Sequence, residues 1–109
     1  MSIDLPAVIT AYLAAANTRD LDAAASCFDE GAVVFDEGQE RKGVAAIRAW
    51  SEETGNKYAP QTQATAVQLA QSAAVVTARV SGNFPGSPVE LRYFFTLRND
   101  KIAQLEIKS

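Results

Sequence analysis

Two side chains stand out as able to move a proton in this sequence, Tyr12 and Asp36. Asp36 closes the apolar run Ala32-Val33-Val34-Phe35, where the chain leaves the interior. A carboxylate at that depth loses solvation and holds its proton longer, which is how an Asp becomes a usable general base near neutral pH. The same residue also reads as an ordinary turn acid in Asp-Glu-Gly. Tyr12 falls on the stripe Leu5, Val8, Ile9, Tyr12, Leu13, Ala16, so its hydroxyl is either satisfied at the edge of a core or lines a cavity. The chain has no His. A Ser-His-Asp triad and a His-ligated metal are thereby excluded, and acid–base chemistry falls to carboxylates, phenols, lysines or the single thiol.

Aromatic surface is plentiful. Trp50, Phe28, Phe35 and Tyr58, with Phe84, Tyr93 and Phe95, read either as core or as the wall of an apolar ligand pocket. Arg79 lies mid-strand and is either an outer-face charge or an inward anchor for an anion. Cys27 reads as a small buried hydrophobe, with neither a His partner nor a neighbouring Lys to lower its pKa. Lys42, Lys57 and Lys101 read as solvated. Asp29, Glu30, Glu37, Glu40, Glu52 and Glu53 are too scattered for a metal site, and no glycine-rich phosphate loop is present. No cofactor, organic or metal, is called for.

The elements that must position these residues follow from periodicity. Residues 5–16 predict a helix, with Asp4 as N-cap and Pro6 tolerated in the first turn. Asp20 caps a short helix from Leu21 to about Phe28, which Gly31 ends. Ala32–Phe35 is a strand and Asp36–Glu40 a polar loop. Gly43 opens a helix from Val44 to Thr54 with Val44, Ile47, Trp50 and Thr54 inward, and Gly55 supplies a left-handed stop. The period then changes to two. Gln61–Ala70 and Ala73–Gly82 are strands joined at Gln71-Ser72, and Asn83–Pro88 is a loop. Val89–Arg98 puts Leu91, Tyr93, Phe95 and Leu97 on one face. Asn99-Asp100 turns into a last strand, Lys101–Lys108. Helices first and antiparallel strands after is an α+β pattern: a curved sheet with helices over one face. The uncovered face, carrying Phe94, predicts a homodimer through the sheet.

Composition sets the outer limits. The 109 residues are one domain's worth, 1–109, and 48% hydrophobic with 21% charged residues is an ordinary globular mixture. Ten acids face four bases in residues 1–55, while six bases face three acids in residues 56–109. Those bases are scattered and the net charge is −3, which argues against nucleic acid. The uncharged stretches hold too much Thr, Gln, Asn and Ser for a membrane span. Met-Ser-Ile-Asp-Leu-Pro lacks the basic start and apolar core of a signal peptide, and the lone Cys27 fits a reducing, cytoplasmic setting.

Three stretches carry a resemblance: Ala11 to Asp22 (AYLAAANTRDLD), Phe28 to Asp36 (FDEGAVVFD) and Gly43 to Trp50 (GVAAIRAW). In this order and spacing they resemble the SnoaL-like proteins of the nuclear-transport-factor-2-like superfamily, which includes the ketosteroid isomerases. The resemblance implies a cone-shaped α+β barrel of three helices on a curved, mainly antiparallel sheet, a cavity for a small apolar molecule, and a dimer. Its members include isomerases, cyclases and binding modules without catalysis, and fold alone does not choose among them. In the worked case of ketosteroid isomerase an Asp base faces an oxyanion hole of a tyrosine and a protonated acid. Tyr12 matches the oxyanion tyrosine and Asp36 the base, 24 positions on. The third position departs: where the family has an acid this chain has Tyr93, which is either a second hydrogen-bond donor or packing. The implied alternatives are a cofactor-independent isomerase or cyclase using Asp36, Tyr12 and Tyr93, and a non-catalytic dimeric module.

Overall fold

The computed structural model describes residues 4–109. Helices α1 (Ala7–Asn17), α2 (Leu21–Ser26) and α3 (Val44–Tyr58) cover a six-stranded sheet. Its strands are β1 (Phe28–Asp36), β2 (Gln39–Lys42), β3 (Gln61–Leu69), β4 (Ala73–Ser81), β5 (Val89–Arg98) and β6 (Lys101–Lys108), in the order β2-β1-β6-β5-β4-β3. Every neighbouring pair is antiparallel except β1 with β6. The α+β architecture expected from the order of elements is the one observed.

Register assigns each strand residue to a face, because paired residues point the same way. One row runs Val34, Leu105, Phe95, Ala74 through the pairings of β1, β6, β5 and β4, and all four side chains are buried beneath the helices. The adjoining row, Phe35, Glu106, Phe94, Val75, lies on the opposite face. There Arg92 and Lys108 sit 5.8 and 5.5 Å from the Phe94 ring centroid. Arg79 belongs to that outer face too, paired with Glu90 and Gln63 between the buried Ala78 and Val80. The helices bring Ile9, Tyr12 and Leu13 of α1 and Ile47 and Trp50 of α3 down onto the inner face. No helix among the described residues is long and apolar enough to cross a membrane.

Several local expectations need correction. Asp4 does not cap α1. Pro6 takes the cap position with extended backbone (ψ 142°) and no side-chain bond, since a residue before proline is pushed out of the helical region and the helix cannot start earlier. Asp20 does cap α2, accepting from the Ala23 amide at 3.1 Å. That helix ends at Ser26, so Phe28 opens β1 and Gly31 lies inside the strand. A register shift between Phe28 and Val33 hid the alternation there. Residues 39–42 form strand β2, turned out of β1 by Glu37-Gly38 with φ of 53° and 74°, a two-residue hairpin turn of the primed kind. Gly55 does not end α3. The helix runs on to Tyr58 and Ala59 takes the left-handed position (φ 46°). Asn99-Asp100 is the tight turn expected, with φ of 53° and 61°.

Candidate functional site

Between the helices and the inner sheet face lies a cavity of about 330 Å³. Tyr12 reaches it from α1, Trp50 and Tyr58 from α3, and Asp36 from the end of β1. Tyr93 reaches it from β5 and Phe84 from the β4–β5 loop. Ala15, Ala16 and Ala24 keep the helical wall shallow, and Val80, Leu91 and Ile107 make the sheet wall apolar.

Asp36 is the half-buried acid of this space. It alternates with the buried Val34 and so faces inward. The Trp50 indole Nε1–H donates to its Oδ2 at 3.0 Å. Burial pushes its carboxyl above the ordinary carboxylate range, and the neighbouring Glu37 charge adds to the rise. The Trp50 hydrogen bond, the Glu37 backbone amide and the Arg41 charge oppose it. The sum leaves Asp36 a stronger proton holder than a surface Asp.

The two phenols are more deeply set, Tyr12 at 4% exposure and Tyr93 at 7%. Burial raises both pKa values, Tyr12's well above the ordinary phenol value. The phenols and Asp36 sense one another: Tyr93 and Asp36 raise Tyr12, and Asp36 raises Tyr93, where the Thr62 hydroxyl pulls the other way. Both hydroxyls therefore stay protonated at neutral pH and can donate. No side-chain oxygen or nitrogen among the described residues is fully buried without a partner.

Phe28 and Phe95 do not line the cavity as the sequence suggested. They form the layer behind it. Phe28 meets the Tyr12 ring edge-on at 5.3 Å. Phe95 meets Tyr12 at 6.2 Å and stacks beside Tyr93 at 6.1 Å, so one ring braces both phenols. Phe35 is not part of the wall either, because it sits one residue out of phase with Asp36 and faces the other side of the sheet. Trp50 holds the acid as well as walling the pocket, and nothing in its periodicity announced that bond. Cys27, the C-cap of α2, is buried, and its thiol is pushed up by burial, although Lys101 is close enough to oppose the rise, contrary to the sequence expectation.

The mouth has a different make-up. Tyr58 donates to Glu37 Oε1 at 2.8 Å, linking the end of α3 to the β1–β2 turn. Phe84 packs edge-on against the Tyr58 ring at 5.9 Å. The loop can come this close only because residue 82 is glycine: a Cβ there would stand 2.5 Å from the Tyr58 carbonyl oxygen. On the other side, Arg19 has left-handed backbone (φ 60°), at a cost of about 1–2 kcal/mol for a residue with a side chain. Its guanidinium donates to Asn56 Oδ1. It also lies over Gly55, where a Cβ would be 3.0–3.2 Å from the guanidinium atoms. A glycine mid-helix costs about 1 kcal/mol relative to Ala, and here it makes room for that arginine. Arg19 and Glu37 both line the cavity, and neither was singled out by residue type or spacing. No group of three or more metal-ligating side chains occurs among the described residues.

Three helices over a curved sheet, with a cavity between them, are the nuclear-transport-factor-2-like fold. Residues 9–105 match the SnoaL-like domain family, and the chain belongs to it. A protein from Sinorhizobium meliloti labelled a polyketide cyclase is similar at 39% identity and TM-score 0.94, with 96% of each chain covered. A protein of ketosteroid isomerase-like fold from Catenulispora acidiphila, solved with trimethylamine, shares the fold at 18% identity and TM-score 0.86, over 97% of this chain and 87% of that one. A nuclear-transport-factor-2-like protein from Cytophaga hutchinsonii does so at 15% identity and TM-score 0.80, over 98% and 90%. No curated protein sequence matches the chain.

Proposed function

We propose that the cavity binds a small apolar carbonyl compound and that the protein is a cofactor-independent isomerase or cyclase. Asp36 takes a proton from the carbon next to the carbonyl. The electron pair left behind moves onto the carbonyl oxygen, and Tyr12 and Tyr93 donate hydrogen bonds to the negative charge that develops there. In a β,γ-unsaturated ketone the vinylogous carbon then takes the proton back from Asp36 as the carbonyl re-forms, which is isomerisation. Alternatively it attacks a second carbonyl of the same molecule, and the alkoxide formed takes the proton, which is ring closure. Either way the acid ends as it began.

The observation that carries this reading is the indole-held Asp36, its proton affinity raised by burial, sharing one apolar cavity with two neutral phenols. The label of the Sinorhizobium relative points to the same class of substrate. The test is double-bond migration in a β,γ-unsaturated ketone. Asp36→Asn keeps an acceptor for Trp50 but cannot take a proton, and turnover should fall about 10²- to 10⁴-fold. The variant should stay folded: a carboxyl whose folded pKa is raised destabilises the fold once ionised, and Asn removes that cost at neutral pH. Unchanged turnover in Asp36→Asn rejects the base. A native protein that binds ketones without turning them over is a non-catalytic binding module.

A further inference from the structure

We infer that Arg19 is the specificity residue of this cavity, selecting apolar ligands that carry a carboxylate at the end facing the opening. The inference rests on the reading of the cavity as a ligand site. Arg19 is the one cationic side chain lining the cavity among the described residues. An exposed arginine is ordinarily a solvated, mobile charge, but this one is held. Its backbone is left-handed, its guanidinium rests in the space left by Gly55, and Asn56 accepts from it.

Among the described residues it makes no salt bridge. Its neighbour Asp20 is turned to the Ala23 amide as the cap of α2. Glu37, the other acid of the mouth, accepts from Tyr58. The described arginine salt bridges belong to Arg41, Arg48 and Arg98. A guanidinium offers five N–H donors in a planar fork that matches a carboxylate two bonds at a time. With one donor given to Asn56, the remaining fork is left at the edge of an apolar space. Asp36 makes no described salt bridge with it, and the Asp36 Oδ2 accepts from Trp50 instead.

The cavity sets the ligand's size. Tyr12 lies within α1 and Arg19 just beyond its end, and both line one space of about 330 Å³. A skeleton of about two fused rings, with a carbonyl at one end and a carboxylate at the other, is of a size for that space. The matched probes are 6-acetyl-2-naphthoate and the neutral 6-acetyl-2-naphthamide, titrated by calorimetry and by quenching of Trp50, the chain's single tryptophan.

The native protein should bind the acid at least about tenfold more tightly than the amide, as a charge-assisted pair implies, with the margin shrinking as salt rises. Arg19→Met should erase the margin by weakening the acid alone, and Arg19→Lys should restore part of it. Equal affinity of acid and amide for the native protein overturns the inference. So does an Arg19→Met protein that loses both equally, which is the mark of a purely structural arginine. If neither probe binds, the ligand-site reading falls and this inference with it. If the acid preference stands while no ketone is turned over, only the catalytic reading is lost.

Discussion

At the inner end of the cavity, Tyr12, Tyr93 and Asp36 are held by rings: Phe28 and Phe95 brace the phenols and the Trp50 indole holds the acid. At the mouth, Arg19, Glu37 and Tyr58 are exposed or half-exposed, and one polar bond ties Arg19 to Asn56 and another Tyr58 to Glu37. Arg19 and Glu37 take left-handed backbone there as well. Inside, low solvation does the work. It raises every titratable group present and makes each hydrogen bond count for more. At the mouth, water screens the same interactions, and position is fixed by backbone geometry instead. Damage at the inner end should therefore reach stability and chemistry together, whereas damage at the mouth should touch selectivity and little else.

The largest effect is expected from Phe95→Ala. Phe95 is 1% exposed and its ring touches both phenols. Deleting a buried phenylalanine costs about 3–5 kcal/mol, a large share of the 5–15 kcal/mol that about describes a whole domain's stability. Chemical denaturation should show that loss. If Tyr12 and Tyr93 depend on this brace, ketone turnover should drop in whatever fraction remains folded. A variant that is destabilised but turns over normally per folded molecule would separate packing from chemistry, and the contrast between the two regions would fail.

A second test concerns the bond between Trp50 and Asp36. The indole donates to the ionised acid and so lowers its pKa against the burial that raises it. In the proposed reaction Asp36 works as a carboxylate, so activity should rise with pH through its folded pKa. Trp50→Phe removes the opposing hydrogen bond, and that ascending limb should move to higher pH than in the native protein. The same sign holds for stability: a raised folded pKa means that ionisation destabilises the fold. The cost is absent below the ordinary range near 3.8 and grows as pH rises through the folded value. A limb that stays in place in Trp50→Phe would show that the indole walls the pocket without tuning the acid.

How much of this was legible in the chain depends on what fixes each residue. Tyr12 could be read from the helix period and Asp36 from its place at the end of an apolar run together with the family resemblance, and both line the cavity. The long strands β4 and β5 were equally plain, since alternation over nine or ten residues leaves one face for burial. Phe35 shows the limit of residue type as a guide to position. Being aromatic and next to Asp36 made it a pocket candidate, yet in a strand the adjacent residue points the other way. Strand β2 was missed because its burial is slight and its sequence, Gln-Glu-Arg-Lys, carries no apolar alternation. The Glu37-Gly38 turn was the available signal. Arg19 left none, because its place depends on Gly55, 36 positions away on another helix.

The smallest effect is expected at the mouth, from Tyr58→Phe. The hydroxyl's bond to Glu37 is exposed, and a solvent-facing hydrogen bond contributes about 0.5–1.5 kcal/mol at most. The ring's contact with Phe84 survives the substitution, so the loop keeps its seat. Thermal melting should therefore barely move, and turnover of a neutral ketone at saturation should be close to native. What should change is ligand exchange, since the hydroxyl links α3 to the β1–β2 turn across the opening. Dissociation of the naphthamide probe, followed by stopped-flow Trp50 fluorescence, should quicken by a few-fold while the equilibrium shifts less. A Tyr58→Phe protein with a clearly lowered melting point would mean that the mouth bears structural load after all. The division between a braced interior and a loosely tied opening would then not describe this molecule.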